Sequence, residues 1–209
     1  MARGVPSSLA APLRQAGAAW SLVARDALVD DVGARLTRGT NVLLVGPRGV
    51  GKSAIVDVLS AALPVERIDP FERISRARAA RLRVHLDHGA TIVAAAETLD
   101  RRQLGAVGRI LWRFQVVRVP PLPRAAMTLV IRHALPADVT ELAGADAWIA
   151  ALASYANGLP ATGLAFAASG LSYWRQHGVL ATVEWTIVDA LARAQMNAID
   201  RSAERKSPS

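Results

Sequence analysis

Gly46-Pro47-Arg48-Gly49-Val50-Gly51-Lys52-Ser53 decides how the rest of the chain is read. The stretch satisfies G-x-x-x-x-G-K-[ST] in full. Before it, the apolar run Asn41-Val42-Leu43-Leu44-Val45 predicts a short buried strand. After it, Ala54 to Leu63 has helical length and spacing, and Pro64 stops it. Strand, glycine loop and helix together are the context a bound phosphate needs. The glycines let backbone N–H groups turn inward, and the helix N-terminus adds positive potential. Gly46 through Ala54 would form the cradle, Lys52 would reach the β- and γ-oxygens, and the Ser53 hydroxyl would ligate Mg²⁺. A glycine turn that binds nothing leaves the matching flanks unexplained. The expected ligand is a nucleoside triphosphate, ATP with Mg²⁺.

Outward from this loop, strand-like and helix-like segments alternate. A helix is expected from about Asp26 to Leu36, with Leu28, Val29, Val32 and Leu36 on its inner face. Val65–Asp69 reads as a second strand ending in an acid, followed by an arginine-rich helix at 71–88 that Gly89 ends. Ala90–Ala96 reads as a third strand with polar Glu97-Thr98 at its tip, followed by a helix at 100–112. Phe114–Val119 reads as a fourth strand, closed by Pro120-Pro121-Leu122-Pro123. From Arg124 onward the pattern is helical alone, at 124–134, 146–157, 160–175 and 183–199. The fold class is therefore α/β: a three-layer αβα phosphate-loop fold with a short, mainly parallel sheet of about four strands, then a small all-helical lid. The expected division is an arm at 1–19, a nucleotide-binding domain at 20–123, a lid at 124–201 and a disordered tail at 202–209.

Composition narrows the chemistry less than the loop does. The chain has 209 residues, no cysteine and a formal charge of +8, so disulfides and thiolate metal sites are excluded. Nearly all the basic residues are arginine, and Lys52 and Lys206 are the lysines. That charge is explained equally by alanine- and arginine-rich codon usage and by an anionic partner. His85 and His88 stand three apart, yet no third ligand is placed to complete a metal site. Ala147 to Tyr173 carries no charge, but Asn157-Gly158-Leu159-Pro160 breaks it, so two buried helices fit better than a membrane span. A soluble, cytoplasmic protein without a signal peptide is expected.

A triphosphatase also needs an acid for the metal and a carboxylate to orient water. Asp69 is the best-placed acid for Mg²⁺, unless it caps the following helix. Pro70 occupies the place where a catalytic Glu often follows, and Glu72 is expected to turn into the helix. Glu97 is the rival acid if its strand lies beside the loop strand, and Thr98 could instead sense the γ-phosphate. In the 71–88 helix, Arg73, Arg76 and Arg83 share one sector, with Arg78 and Arg81 elsewhere. Such a face could contact nucleic-acid phosphates or simply be solvated. Trp112, Trp148, Trp174 and Trp185 are spaced as helix-core residues.

These features together resemble the AAA+ ATPases across roughly residues 20 to 199. The loop is closest to the origin-recognition-like, STAND-like and transposition-regulator-like branches. The resemblance implies that Arg25 lies in the segment flanking the adenine, that Asp69 is the Walker B acid and that Thr98 is the sensor-1 residue. It makes Arg113, in Trp112-Arg113-Phe114, an arginine finger presented to a neighbouring copy in a homo-oligomer. Its alternative is a surface arginine in an arginine-rich chain. Three departures stand out. Residues 53–68 are too few for the strand and helix usually placed there, Pro70 replaces the Walker B glutamate, and Ala161 replaces the sensor-2 arginine. They imply weak or absent hydrolysis, with ATP acting as a ligand that switches lid and oligomer. The leading reading is a switch or assembly factor, with DNA association left open by the basic surface. A small phosphate-loop kinase and a non-catalytic partner subunit are the alternatives. A GTPase is set aside because no Asn-Lys-x-Asp motif is present.

Overall fold

The structure, a computed structural model, describes residues 22–100 and 104–204. The expected arm at 1–19 and the last part of the expected tail, 205–209, lie outside them. The described chain divides into two compact units after Pro121.

In the first unit, α1 (Asp26–Thr37) leads to β1 (Val42–Val45), the glycine loop and α2 (Lys52–Ala62). β2 (Glu66–Ile68), α3 (Arg76–Asp87), β3 (Ile92–Ala96) and β4 (Gln115–Arg118) follow. The strands form one parallel sheet in the order β2-β3-β1-β4. Val42 stands opposite Val93 on one side and Gln115 on the other. β3 is buried along its whole length, as a strand covered on both faces must be. On one face Leu43, Ala94 and Ile68 pack with Leu82 and Leu86 of α3, and Phe71 meets Phe114 edge-on at 5.2 Å. α1 touches β1 and α2, and α2 touches β2 and β3. Asn41 stitches the amino ends of three strands. Its Oδ1 accepts from the Ile92 N–H at 2.9 Å, and its carbonyl accepts from the Gln115 N–H at 2.8 Å.

Two expected helices differ. The 71–88 segment is a 3₁₀ turn at Phe71–Arg73, then an extended Ile74 and Ser75, and only then α3. Ser75 is the helix cap, its Oγ accepting from the Arg78 N–H at 3.2 Å, which leaves Arg73 off the helix. Over 100–112, the described residues hold two 3₁₀ turns, Gly105–Arg109 and Leu111–Arg113. Gly105 takes a φ of +53°, which breaks helical continuity there.

The second unit is helical: α4 (Arg124–Ala134), α5 (Ala137–Thr140), α6 (Ala145–Tyr155), α7 (Pro160–His177) and α8 (Val183–Glu204). The short α5 is an element the periodicity does not announce. α6 and α7 are separated where the sequence breaks, with Asn157 and Gly158 both at positive φ and Pro160 opening α7. No described helix is long and apolar enough to cross a membrane. Trp148 is buried, with its ring edge in contact distance of Gly170 on α7.

Candidate functional site

Because all four strands are parallel, one edge of the sheet gathers the residues that follow them: Gly46 after β1, Asp69 after β2, Glu97 and Thr98 after β3, and Val119 after β4. Ligands bind at this edge of an open α/β sheet.

The loop leaves β1 under tight constraint. The Gly46 N–H donates to the Ala96 carbonyl, and the Val119 N–H donates to that of Val45. A Cβ at Gly46 would meet the Val119 carbonyl oxygen at 2.7 Å, so only glycine fits without moving backbone. Gly51 has a φ of +100°, a conformation that glycine adopts freely, and it opens α2 directly. Arg25 secures the loop from below. The residue is 5% exposed, and its guanidinium donates to the carbonyls of Val50 and Pro120, tying the chain before α1 to the loop and to the segment after β4. Burial lowers its pKa.

Lys52 is buried, and its ammonium donates to the carbonyls of Gly46 (2.8 Å) and Pro47 (3.0 Å). The lysine is folded across its own loop. Desolvation pulls its pKa down, opposed by the carboxylates of Glu97, Glu72 and Asp69 in that order. Glu97 is the strongest of the three because β3, and not β2, lies beside β1. The condition that made Glu97 a rival acid is therefore met. Asp69 stands one strand further out, with an Arg67 nitrogen 3.8 Å from its carboxylate. It does not cap the helix, since Ser75 does.

Glu72 is the residue that sequence reasoning misplaced. It sits in the 3₁₀ turn, not in α3, and its Oε1 accepts the Glu97 N–H at 2.6 Å. Its Oε2 is buried and without a hydrogen bond. Ser75, a good helix cap six residues after Asp69, is the signal that the helix starts late enough for Glu72 to face the site. Thr98 accepts from the Asp100 N–H at 3.0 Å, which leaves its hydroxyl proton to donate. Ser53 is exposed at the first turn of α2, and Pro47 and Arg48 are exposed at the loop rim.

Arg113 is not brought to this edge. It immediately precedes Phe114 and β4, at the amino ends of the strands, where it pairs with Asp87 at 2.5 Å and lies 5.0 Å from the Trp112 ring centre. Its own loop is at the opposite edge of the sheet.

The site fits a magnesium triphosphate. Its donors are a hydroxyl and carboxylates, the hard oxygens Mg²⁺ takes. Among the described residues no cluster of carboxylates and histidines would hold a metal by itself. His85 and His88 are otherwise engaged, with Glu66 and with the Val84 carbonyl.

Fold and loop together define an α/β phosphate-loop NTPase fold with a helical unit after it. No family model matches the sequence, and no curated protein does. Solved structures of RuvB from Thermotoga maritima share the fold. A point mutant matches with a TM-score of 0.55 at 14% identity, over 76% of this chain and 64% of that one. A second, described as a Holliday junction branch migration motor, matches with a TM-score of 0.53 at 13% identity, over 87% of this chain and 68% of that one. At such identity the likeness concerns the fold.

Proposed function

We propose that the chain is an ATP-binding AAA+-like protein that works as a nucleotide-dependent switch or assembly factor in the cytoplasm, with weak or absent hydrolysis and DNA as its partner. The observation that carries this reading is Lys52, held over its own loop at the central strand with three carboxylates acting on it. An incoming triphosphate replaces two carbonyl acceptors with charged oxygens, a stronger pairing for the same ammonium. Gly46 to Ala54 would hold the phosphates. Ser53 and an acid, Asp69 or Glu97, would hold Mg²⁺, which supplies charge neutralisation at the phosphates.

Three positions support weak hydrolysis. Pro70 and Ala161 lack the side chains that family resemblance leads one to expect. Glu72 has one oxygen bonded to the Glu97 backbone and the other buried, so neither is offered to an attacking water. A role for Arg113 at phosphate requires a neighbouring copy, because its own loop lies at the far edge of the sheet. The chain covers 64% of the RuvB chain in the first match above, and RuvB's branch-migration description motivates the DNA partner without carrying it.

The test is molecular mass and ATP turnover with Mg²⁺, with and without DNA, for the wild type, Lys52→Ala and Arg113→Ala. ATP-dependent assembly abolished by both substitutions supports the reading. Turnover of ~1 per second or faster that depends on Glu72 or Glu97 overturns weak hydrolysis. A chain that binds ATP, stays monomeric and ignores Arg113 overturns the assembly role.

A further inference from the structure

Along the outer side of the first unit, α3 and the two 3₁₀ turns before β4 enclose an open groove of about 800 Å³. Arg76 and Arg83 line one wall, seven residues and thus about 10.5 Å apart along the helix, and Arg109 and Arg113 line the other. No acidic residue lines it among the described residues. Arg113 is already paired with Asp87, whereas Arg76, Arg83 and Arg109 form no ion pair among the described residues. At its rim Trp112 is 77% exposed, with the Arg113 guanidinium near its ring. The expectation that Trp112 packs in a helix core is therefore corrected: the helix is replaced by 3₁₀ turns, and the indole faces solvent.

We propose that this groove binds single-stranded nucleic acid, with Arg76, Arg83 and Arg109 on phosphates and Trp112 stacked on an unpaired base. Charge complementarity selects a polyanion. The exposed indole selects the single strand, because a duplex keeps its base faces stacked inside, whereas a free base offers a face to an aromatic ring. Arginines flanking an accessible aromatic ring form the pattern that sequence-tolerant single-strand grooves use. This inference rests on the nucleic-acid part of the reading above and uses no residue of the glycine loop.

The experiment is fluorescence anisotropy of a labelled oligo-dT of twenty nucleotides, and of a labelled duplex of equal length, with the full chain across a salt series. Variants are Trp112→Ala, Trp112→Phe, the pair Arg76→Ala with Arg83→Ala, and a charge-matched control pair, Arg38→Ala with Arg175→Ala. The single strand is expected to bind more tightly than the duplex. Trp112→Ala weakens it about 5- to 150-fold, the range for one lost base stack, and Trp112→Phe retains most of the affinity. Losing Arg76 and Arg83 flattens the salt slope by about 1.4, at ~0.7 per phosphate, beyond any change in the control pair. Lys52→Ala leaves all of this intact. Tighter binding to duplex, or Trp112→Ala binding like wild type, overturns the groove while leaving a nucleic-acid partner standing. Binding of neither probe at low salt overturns both.

Discussion

The Glu72 carboxylate accepts the backbone N–H of Glu97 at 2.6 Å, joining the turn after β2 to the tip of β3. Charged acceptors on backbone donors stabilise by roughly 1.5–3 kcal/mol, partly offset here by the second oxygen, which is buried without a partner. Glu72→Gln keeps an acceptor in place and removes the charge, so it is expected to fold about as stably as wild type. Glu72→Ala should lose about 1–2 kcal/mol and loosen residues 97–98. Urea unfolding and amide exchange at Glu97 are the readouts, and equal stability of the two variants would refute the brace.

Lys52 provides a clean titration, because Lys206 is the other lysine. Its pKa lies below the ordinary lysine value, from desolvation opposed by the carboxylates. Removing a carboxylate should lower it further, most for Glu97→Gln, less for Glu72→Gln and least for Asp69→Asn. Carbon-13 lysine NMR across alkaline pH reads this order directly.

That shift has opposite consequences for binding and for folding. Triphosphate binding favours the charged ammonium, so affinity falls as pH rises through the lowered pKa, earlier than an ordinary lysine would allow. Folding disfavours the charge, so the stability cost of Lys52 is present at low pH and is relieved as pH climbs through the lowered pKa toward the unfolded value. Calorimetric ATP titrations from neutral to alkaline pH test the first sign and denaturant unfolding without ATP over the same range tests the second, with Lys52→Met as the reference in both.

Arg25→Ala strips the carbonyls of Val50 and Pro120 of their donor. We expect a loss of about 1–3 kcal/mol and weaker ATP binding, since Val50 belongs to the loop. Arg25→Lys should recover only part, because Nη2, which donates both bonds, reaches one bond further from the backbone than a lysine Nζ. Thermal unfolding with and without ATP separates the two effects.

Two glycines of α7 should respond unequally to alanine. At Gly163 the new Cβ would meet the Met127 terminal methyl at 2.5 Å, a flexible end that can swing away. At Gly170 it would meet the Trp148 ring at 2.4 Å, which is rigid and buried. Gly170→Ala is expected to cost about 1–3 kcal/mol, and Gly163→Ala less. Helix loss followed by circular dichroism during denaturation ranks them.

The loop and its flanks were legible because the signal is local: an apolar run, glycines at fixed offsets, then a helix. The parallel sheet followed from strand–helix alternation. Which strand lies beside β1 was not legible, because pairing order is set by packing far along the chain, and with it went the order in which Glu97 and Asp69 act on Lys52. The 71–88 segment misleads because its arginines suit a helix throughout, while Ser75, the actual cap, starts the helix late. At 100–112 the apolar spacing outweighed Gly105 in the reading, though not in the chain, and the exposure of Trp112 was missed with it.

Among the described residues β2 has a neighbour on one side only, so its other flank offers unpaired N–H and C=O groups. An open flank of this kind invites a second molecule to extend the sheet. β2 is three residues long, and its outward charges are engaged: Arg67 with Asp57 and Asp69, Glu66 with His85. Intermolecular strand addition would need more ladder than three residues supply and would have to break those pairs. The shortness of this border strand is thus a safeguard against fibrillar self-association, and lengthening it with apolar residues would remove that protection.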